Sequence, residues 1–362
     1  MRVLVVAGAS GGHIFPAVGF LERLRLLDVS CQALLLVPEH TPVKLEGDLS
    51  FSVRYLPRIY FSRKSAKALF NGLVSGVKNF FKSVEVILGF KPDVVVGFGS
   101  IASIPVVLIA WFLRIKTIIH EQNVIPGRAN RLLALFVDKI AISFKETADY
   151  LISQRRKVVL TGNPLRLGLR RLDKRQACEY FGFSPEQLTF LIMGGSQGSK
   201  KLNFVCLDYF KSLPPLGSNL QILHLAGRRD FEQIQNEYKR LGIKARVFAF
   251  LEEMDYAYSA CDLIIARAGA TTITEILYYG IPAILVPYPY AYQHQMANAR
   301  VLEQKGVAVI IEERNLNAST LKEALDKLQD GLFGRENIYQ TCRQMYFHDA
   351  AERFCQEVLA LN

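Results

Sequence analysis

At 362 residues, half of them hydrophobic, the chain is globular and too long for one ordinary core, so two domains are expected. Its net charge of +11 is concentrated in residues 1–163, which hold 21 Lys and Arg against 11 Asp and Glu, and this points to an acidic partner for the first half alone. Six scattered cysteines without a C-x-x-C pair exclude a disulfide framework and a zinc ribbon and suit thiols in a reducing compartment; there is no D-x-D for a metal-bound diphosphate, and neither metal nor cofactor is expected.

Val3 to Ala7 reads as a buried strand, with no cleavable apolar leader before it. Gly8-Ala9-Ser10-Gly11-Gly12-His13 follows, then a helix from about Pro16 to Leu27 with Pro16 in its first turn. A glycine turn between first strand and first helix can cradle a phosphate, and its departure from G-x-G-x-x-G disfavours a dinucleotide. His13 has two readings. It is structural, or, in a loop over the carboxyl edge of a sheet, it is a general base for a sugar hydroxyl, for which an ordinary pKa near ~6.5 is suited.

Leu49 to Val84 lacks acids but holds Arg54, Arg58, Arg63, Lys64, Lys67, Lys78 and Lys82, interleaved with Tyr60, Phe61 and Phe70. Leu69, Leu73, Val77 and Phe81 follow helical spacing. A basic amphipathic helix fits an anionic membrane surface, whereas a core-facing helix with a solvated lysine face is the commoner use of the pattern. The missing acids favour the membrane; no nucleic-acid motif accompanies the charge. The most apolar stretch, Ile101 to Leu113, is interrupted by Pro105 and falls short of the about 20 residues that cross a bilayer.

Strand Asp93–Val96 enters a second glycine turn, Gly97-Phe98-Gly99-Ser100. Strand Thr117–Ile119 ends in His120-Glu121-Gln122-Asn123, with Pro126 to Asn130 beyond. Lys139–Ser143 and Val158–Leu160 are further strands, and Gly162-Asn163-Pro164 marks a domain boundary after residue 163. The second half restarts with strand Thr189–Met193 and a third glycine loop, Gly194 to Ser199. Helix Leu202–Phe210, strands Gln221–Leu225 and Arg246–Phe250, and Leu251 follow. Helices Leu321–Leu328 and Ala350–Leu359 close the chain. Alternating strands and helices imply an α/β protein of two doubly wound, Rossmann-like parallel sheets, with glycine loops lining a cleft between the domains.

The chain is organised around Asp262 to Asn298. Strand Leu263–Ala266 is broken by Gly269, Thr271, Thr272 and Thr274 open a helix to Tyr279, Gly280 stops it, and Ala283–Val286 is the next strand. A helix that starts beyond a strand's carboxyl end favours an anion, and its hydroxyls add donors for a phosphate. Glu275, in the first turn, would be repelled by phosphate and fits a neutral sugar diol such as ribose. Thr272-x-x-Glu275 is also a capping box in which the carboxylate serves only its own helix. The uncharged polar cluster Gln293, His294, Gln295 and Asn298 suits a sugar.

Taken together, GASGGHIFPA, KPDVVVGFGS, HEQNVIPGRAN, TGNPLR, MGGSQGS, RAGATTITE and PYPYAYQHQMANA resemble, in order and spacing over nearly the whole chain, the MurG-type family of membrane-associated transferases. These convert lipid I to lipid II in bacterial peptidoglycan synthesis. The resemblance implies a GT-B fold and metal-free, inverting transfer of N-acetylglucosamine from UDP-GlcNAc to undecaprenyl-diphospho-N-acetylmuramoyl-pentapeptide, by a peripheral protein on the cytoplasmic face of the inner membrane. It implies an acceptor- and membrane-binding domain over 1–163, a UDP-GlcNAc domain over 164–340, and a last segment, 341–362, returning to the first domain. Carried over by position, Ser10, Gly11, Gly12 and Asn123 lie near the donor, Arg166 and Ser196 bind its diphosphate, and Leu251 packs at uracil. Ala270, Thr271, Thr272, Ile273, Thr274 and Glu275 form the nucleotide helix, with Glu275 on ribose; His294 and Gln295 face the sugar. Gly97, Gly99 and Ser100 take the acceptor diphosphate, and His13 is the base with Glu121 in reserve. Ser100 stands where the family's G-x-G-G has its last glycine, and the loop before His294 is one position shorter than in many members and lacks their acidic residue. A related transferase that acts on another lipid, such as diacylglycerol, and a nucleotide-binding module without catalysis are the alternatives.

Overall fold

Apolar runs closed by glycine or by polar residues form strands, and the stretches between them wind into helices, throughout a computed structural model that describes residues 1–41, 51–59, 66–195, 198–213, 219–289, 293–329 and 335–361. Contacts divide the chain into two units, Met1–Leu167 with Phe347–Asn362, and Gly168–Tyr346.

The first unit runs β1 (Arg2–Val6), α1 (Gly11–Leu27), β2 (Gln32–Pro38), β3 (Ser52–Leu56), α2 (Ala66–Phe90), β4 (Val94–Gly97), α3 (Ser103–Phe112), β5 (Lys116–Glu121), α4 (Arg128–Leu133), β6 (Lys139–Ile142) and β7 (Val158–Leu160). Its sheet has the order β3-β2-β1-β4-β5-β6-β7, all parallel. Both faces are covered. Val3, Val5, Phe20 and Leu24 pack on one side, and Leu4, Val6, Val95 and Val107 on the other. Double coverage is why the central strands read as unbroken apolar runs.

Two differences from the sequence reading bear on the site. Strands β2 and β3 extend the sheet beyond β1. Helix α1 starts at Gly11, five residues before Pro16, so that Pro16 lies inside the helix and only the bond from its missing N–H to the Gly12 carbonyl is lost. His13 therefore belongs to the first helical turn.

The second unit runs α5 (Lys174–Phe181), β8 (Leu188–Met193), α6 (Lys200–Ser212), β9 (Leu220–Leu225), α7 (Phe231–Arg240), β10 (Ala245–Phe248), α8 (Met254–Ala260), β11 (Leu263–Ala266), α9 (Ala270–Tyr279), β12 (Ala283–Leu285), α10 (His294–Glu303), β13 (Ala308–Ile310), α11 (Ala318–Gln329) and α12 (Arg335–Met345). Its parallel sheet has the order β10-β9-β8-β11-β12-β13.

The last helix, α13 (Ala350–Leu359), belongs to the first unit. Phe354 is fully buried, with its ring 4.8 Å from Phe20 and 5.6 Å from Phe98, and Glu357 pairs with Lys139 of β6 at 2.6 Å. Gly162 gives this return its room: φ is +81° there, and a Cβ would lie 2.7 Å from that of Phe347.

In each sheet the strand order reverses once, between β1 and β4 and between β8 and β11. At such a switch point the flanking loops leave in opposite directions and open a crevice at the carboxyl edge, where ligands of open α/β sheets bind.

Candidate functional site

At the first switch point the loops after β1, β4 and β5 converge. Helix α1 has Ser10 as its N-cap, with an extended backbone and no side-chain cap. The Ser10 carbonyl accepts from the amides of His13 and Ile14. Gly11 and Gly12, which open the helix, have no bond to an earlier turn, so their N–H groups suit an anion. Ser10 Oγ lies 2.8 Å from His13 Nδ1, and Nε2 faces the second loop, 3.4 Å from where a Cβ on Gly99 would stand. Burial lowers the His13 pKa from 6.5 to about 4, because its surroundings disfavour the charged ring.

The second loop carries two successive left-handed residues, Gly99 (φ +81°) and Ser100 (φ +75°). The left-handed conformation at Ser100 accounts for the family's preference for glycine there. The turn is secured by Ser103, whose hydroxyl donates to the Ser100 carbonyl at 2.7 Å. Gly8 makes room for the substitution, since a Cβ at Gly8 would come 2.5 Å from that of Ser100. Gly97 ends β4 against Val107 and Ile119.

In the third loop Glu121 is buried and its carboxylate is filled. Oε1 accepts from the Asn123 amide (2.9 Å) and side chain (3.1 Å), and Oε2 from the Gly127 amide (2.9 Å) and Asn130 Nδ2 (2.8 Å). Both Glu121 and Asn123 thus hold the loop in shape. His120 points away into the core. Its Nε2 donates to the Gly162 carbonyl at 3.0 Å, its Nδ1 accepts from Gln122, and burial lowers its pKa to about 4. Arg166 also belongs to this unit, with its guanidinium 4.2 Å above the Phe15 ring of α1.

At the second switch point the loops after β8 and β11 face each other. Gly194 and Gly198 permit the first of these: a Cβ would meet the Ser199 amide at 2.3 Å or the Ala226 carbonyl at 2.2 Å. Ser196 lies outside the described residues. Helix α9 has Gly269 as its N-cap, with no side-chain cap. Thr272 is therefore its third residue and Glu275 its sixth, in the second turn, which removes the capping box. The Glu275 carboxylate is buried and accepts from the Tyr258 hydroxyl at 2.7 Å. Ala270 and Thr271 begin the helix. The Ile273 side chain is in the core and its amide is bonded to Gly269, while the Thr274 hydroxyl donates back to Ala270. Thr271 Oγ1 is buried with no partner among the described residues, as is Asn130 Oδ1 in the first unit. A buried hydroxyl in the first turn of a helix, with no partner among the described residues, is available to a polar ligand or a water.

Arg267, which the sequence reading passes over, ties this site together. Nearly buried, it donates to Ser199 Oγ (2.7 Å) and to the Val286 carbonyl (3.0 Å), pairs with Glu313, and lies 5.4 Å from the Tyr288 ring. An arginine closing the apolar run of β11 was its only signal. His294 opens α10, Gln295 Oε1 accepts from the Tyr288 amide at 2.8 Å, and Asn298 is buried and donates to the Ala268 carbonyl. Asn298 thus braces the loop before α9. Leu251 is buried just after β10.

The first unit also presents an apolar surface. On α2 the polar Asn79 and Ser83 are buried, and Asn79 donates to the Pro57 carbonyl at 2.8 Å. Leu73, Val77 and Phe81 point outward instead, with Phe81 66% exposed. The helix enters the core only in its last turns, through Val86 and Ile87, so the core-facing reading does not hold for this stripe. Helix α3 packs on α2, and α4 on α3; α3 adds Trp111 and Phe112 (78% exposed), and the turn after α4 adds Leu135. Arg58, Lys78, Arg114 and Arg131 are exposed on the same elements and adjoining loops. Tyr60, Phe61, Arg63 and Lys64, and the side chains of Lys67 and Leu69, lie outside the described residues. Among the described residues no helix is long and apolar enough to cross a membrane.

Two parallel-sheet units with polar loops at their switch points are those of the GT-B fold of sugar-nucleotide glycosyltransferases. The crystal structure of Acinetobacter baumannii MurG matches with a TM-score of 0.74 and 26% identity over 99% of each chain. Models of the glycosyltransferase family 28 N-terminal and C-terminal domains match residues 3–142 and 189–354. Proteins named UDP-N-acetylglucosamine–N-acetylmuramyl-(pentapeptide) pyrophosphoryl-undecaprenol N-acetylglucosamine transferase are similar throughout. The one from Thermodesulfovibrio yellowstonii is 37% identical over 91% of this chain and 90% of its own, and that from Coxiella burnetii 38% over 97% and 96%. The chain belongs to glycosyltransferase family 28.

Proposed function

We propose that the chain transfers N-acetylglucosamine from UDP-GlcNAc to lipid I, undecaprenyl-diphospho-N-acetylmuramoyl-pentapeptide, to form lipid II. The observation that carries this reading is the start of α9, where a helix N-terminus without a side-chain cap and a Thr271 hydroxyl with no partner among the described residues lie one turn from a buried carboxylate. It occurs in a chain related over nine tenths of its length to enzymes named for that reaction. Residues 164–340 take the donor: amides and hydroxyls of Ala270 to Thr272 at diphosphate, Glu275 at ribose, Leu251 at uracil, and His294 and Gln295 at the sugar. Residues 1–163 take the acceptor, with the amides beside Gly99 and Ser100 at its diphosphate.

In the reaction, the 4-hydroxyl of the muramoyl sugar attacks the anomeric carbon of N-acetylglucosamine opposite UDP, so configuration inverts. His13 Nε2 takes the proton. Its lowered pKa keeps the ring neutral at neutral pH, and a proton on Nδ1 directed at Ser10 Oγ leaves the Nε2 lone pair available. The bond to UDP breaks as the new one forms, and the negative charge that develops on the diphosphate is stabilised by helix N-termini and Arg166. Glu121 is a poor base here, because its oxygens are already accepting from four donors; it shapes the loop instead.

The apolar face of α2 and α3, with its exposed arginines and lysines, rests on an anionic membrane. Each basic residue near such a surface contributes about 1 kcal/mol, so the polyprenyl acceptor reacts without leaving the bilayer. The protein is then peripheral, on the cytoplasmic face of the inner membrane. Incubation of the purified chain with radiolabelled UDP-GlcNAc and lipid I, with and without EDTA, tests the proposal. Label is expected in lipid II under both conditions; label only in another lipid, such as diacylglycerol, would overturn it.

A further inference from the structure

Tyr258 of α8 is nearly fully buried, and its ring stacks on Tyr279 of α9 with centroids 4.9 Å apart and planes at 20°. Its hydroxyl lies 2.7 Å from Glu275 Oε2 and 3.6 Å from the Met193 sulfur at the end of β8. A phenol has one proton to give, and a carboxylate accepts it far better than a thioether. The proton therefore goes to Glu275, and the ring that carries it is held by its stack on Tyr279.

The arrangement matters because a glutamate's terminal torsion is soft. Accepting from both hydroxyls of a ribose requires the carboxylate plane to be held. Helical side chains lean toward the N-terminus, so Glu275, in the second turn of α9, leans toward the first turn where the diphosphate would sit. The ribose of a nucleoside diphosphate is the part that lies next to its phosphates.

We propose that Tyr258 is a positioning residue that fixes the Glu275 carboxylate and thereby sets the donor site's preference for ribose over deoxyribose. This rests on the reading of Glu275 as the ribose ligand. No periodicity in the sequence joins the two residues, which come from successive helices with β11 between them.

Calorimetric affinities of the full chain for UDP, 2′-deoxy-UDP and 3′-deoxy-UDP test it, in the wild type, Tyr258→Phe, Glu275→Ala and the double variant. The wild type is expected to favour UDP by about tenfold or more, the scale of one hydrogen bond to a charged group. Tyr258→Phe keeps the stacked ring and should lower UDP affinity about tenfold while leaving the deoxynucleotides nearly unchanged. In the Glu275→Ala background the same substitution should be silent. Equal losses for all three ligands, or additive losses in the double variant, would overturn the positioning role. A wild type that does not discriminate would overturn the ribose reading itself. Tyr258→Met also fills the space without a hydroxyl and gives the same readout if the phenylalanine chain does not accumulate.

Discussion

Glu121→Gln separates a base from a scaffold. The carboxylate accepts four hydrogen bonds, two on each oxygen. Glutamine keeps one accepting oxygen and turns the other into an NH2 group, so two donors face a donor whichever way the amide turns. Each lost bond to a charged acceptor costs about 1.5–3 kcal/mol, so the substitution should destabilise the first unit by roughly 3–6 kcal/mol. For a unit of this size that lowers its melting temperature by roughly 6–24 °C. The assay pairs thermal unfolding with turnover at a temperature where the variant is folded. Unfolding should shift strongly, and the surviving activity should keep the wild-type pH profile. A variant that melts with the wild type yet has no turnover would refute the scaffold reading and make Glu121 the base.

If His13 is the base, the acid limb of kcat/KM should lie near its lowered pKa of about 4 rather than near 6.5; a limb near 6.5 would disprove it. Stability changes in the same window. His120 and His224 are buried and neutral, with pKa values lowered to about 4 and about 3, so the unfolded chain takes up their protons first. The stability they confer is complete above pH 6.5 and is lost as pH falls toward those values, by about 3 kcal/mol for His120. Urea unfolding at stepped pH reads it, and a flat profile from 6.5 to 4.5 would contradict the burial. Ser100→Gly relieves a left-handed serine, and should raise stability by about 1 kcal/mol after the added chain entropy; no gain in the urea midpoint would mean the turn is unstrained. Phe81→Ser with Phe112→Ser should cut binding to anionic liposomes at least about tenfold, since burying each ring yields about 1.5–3 kcal/mol, and should spare transfer to a short-chain soluble acceptor. Unchanged liposome binding would move the membrane contact elsewhere.

What could be read in the sequence followed from local signals. Glycine loops after apolar strands disclosed both parallel sheets, and Gly269 with Gly280 bounded α9 because one caps and the other ends it in the left-handed region. The edge strand β3 was hidden because Ser52, Arg54 and Tyr55 are exposed, which leaves no apolar run. Pro16 misled as a helix opener: α1 tolerates it in its interior, where only one backbone bond is forgone. Spacing on α2 revealed an apolar stripe but could not say which way it faced. That depended on Asn79 finding the Pro57 carbonyl, a contact made only in the folded chain. Glu275 was legible as a carboxylate near a helix start, but its partner Tyr258 was not, and the same holds for the grip of Arg267 on three separate loops.

Phe354 packs in the first unit's core although the whole of the other unit separates it from Phe20 and Phe98 in sequence. During synthesis the amino-terminal half therefore leaves the ribosome with its core incomplete until α13 is made. Residues 168–346 are continuous and can close first, which reverses the usual order of maturation along a nascent chain. A stop codon ahead of Phe347 would accordingly leave the carboxyl-terminal sheet protease-resistant and the opening one digestible.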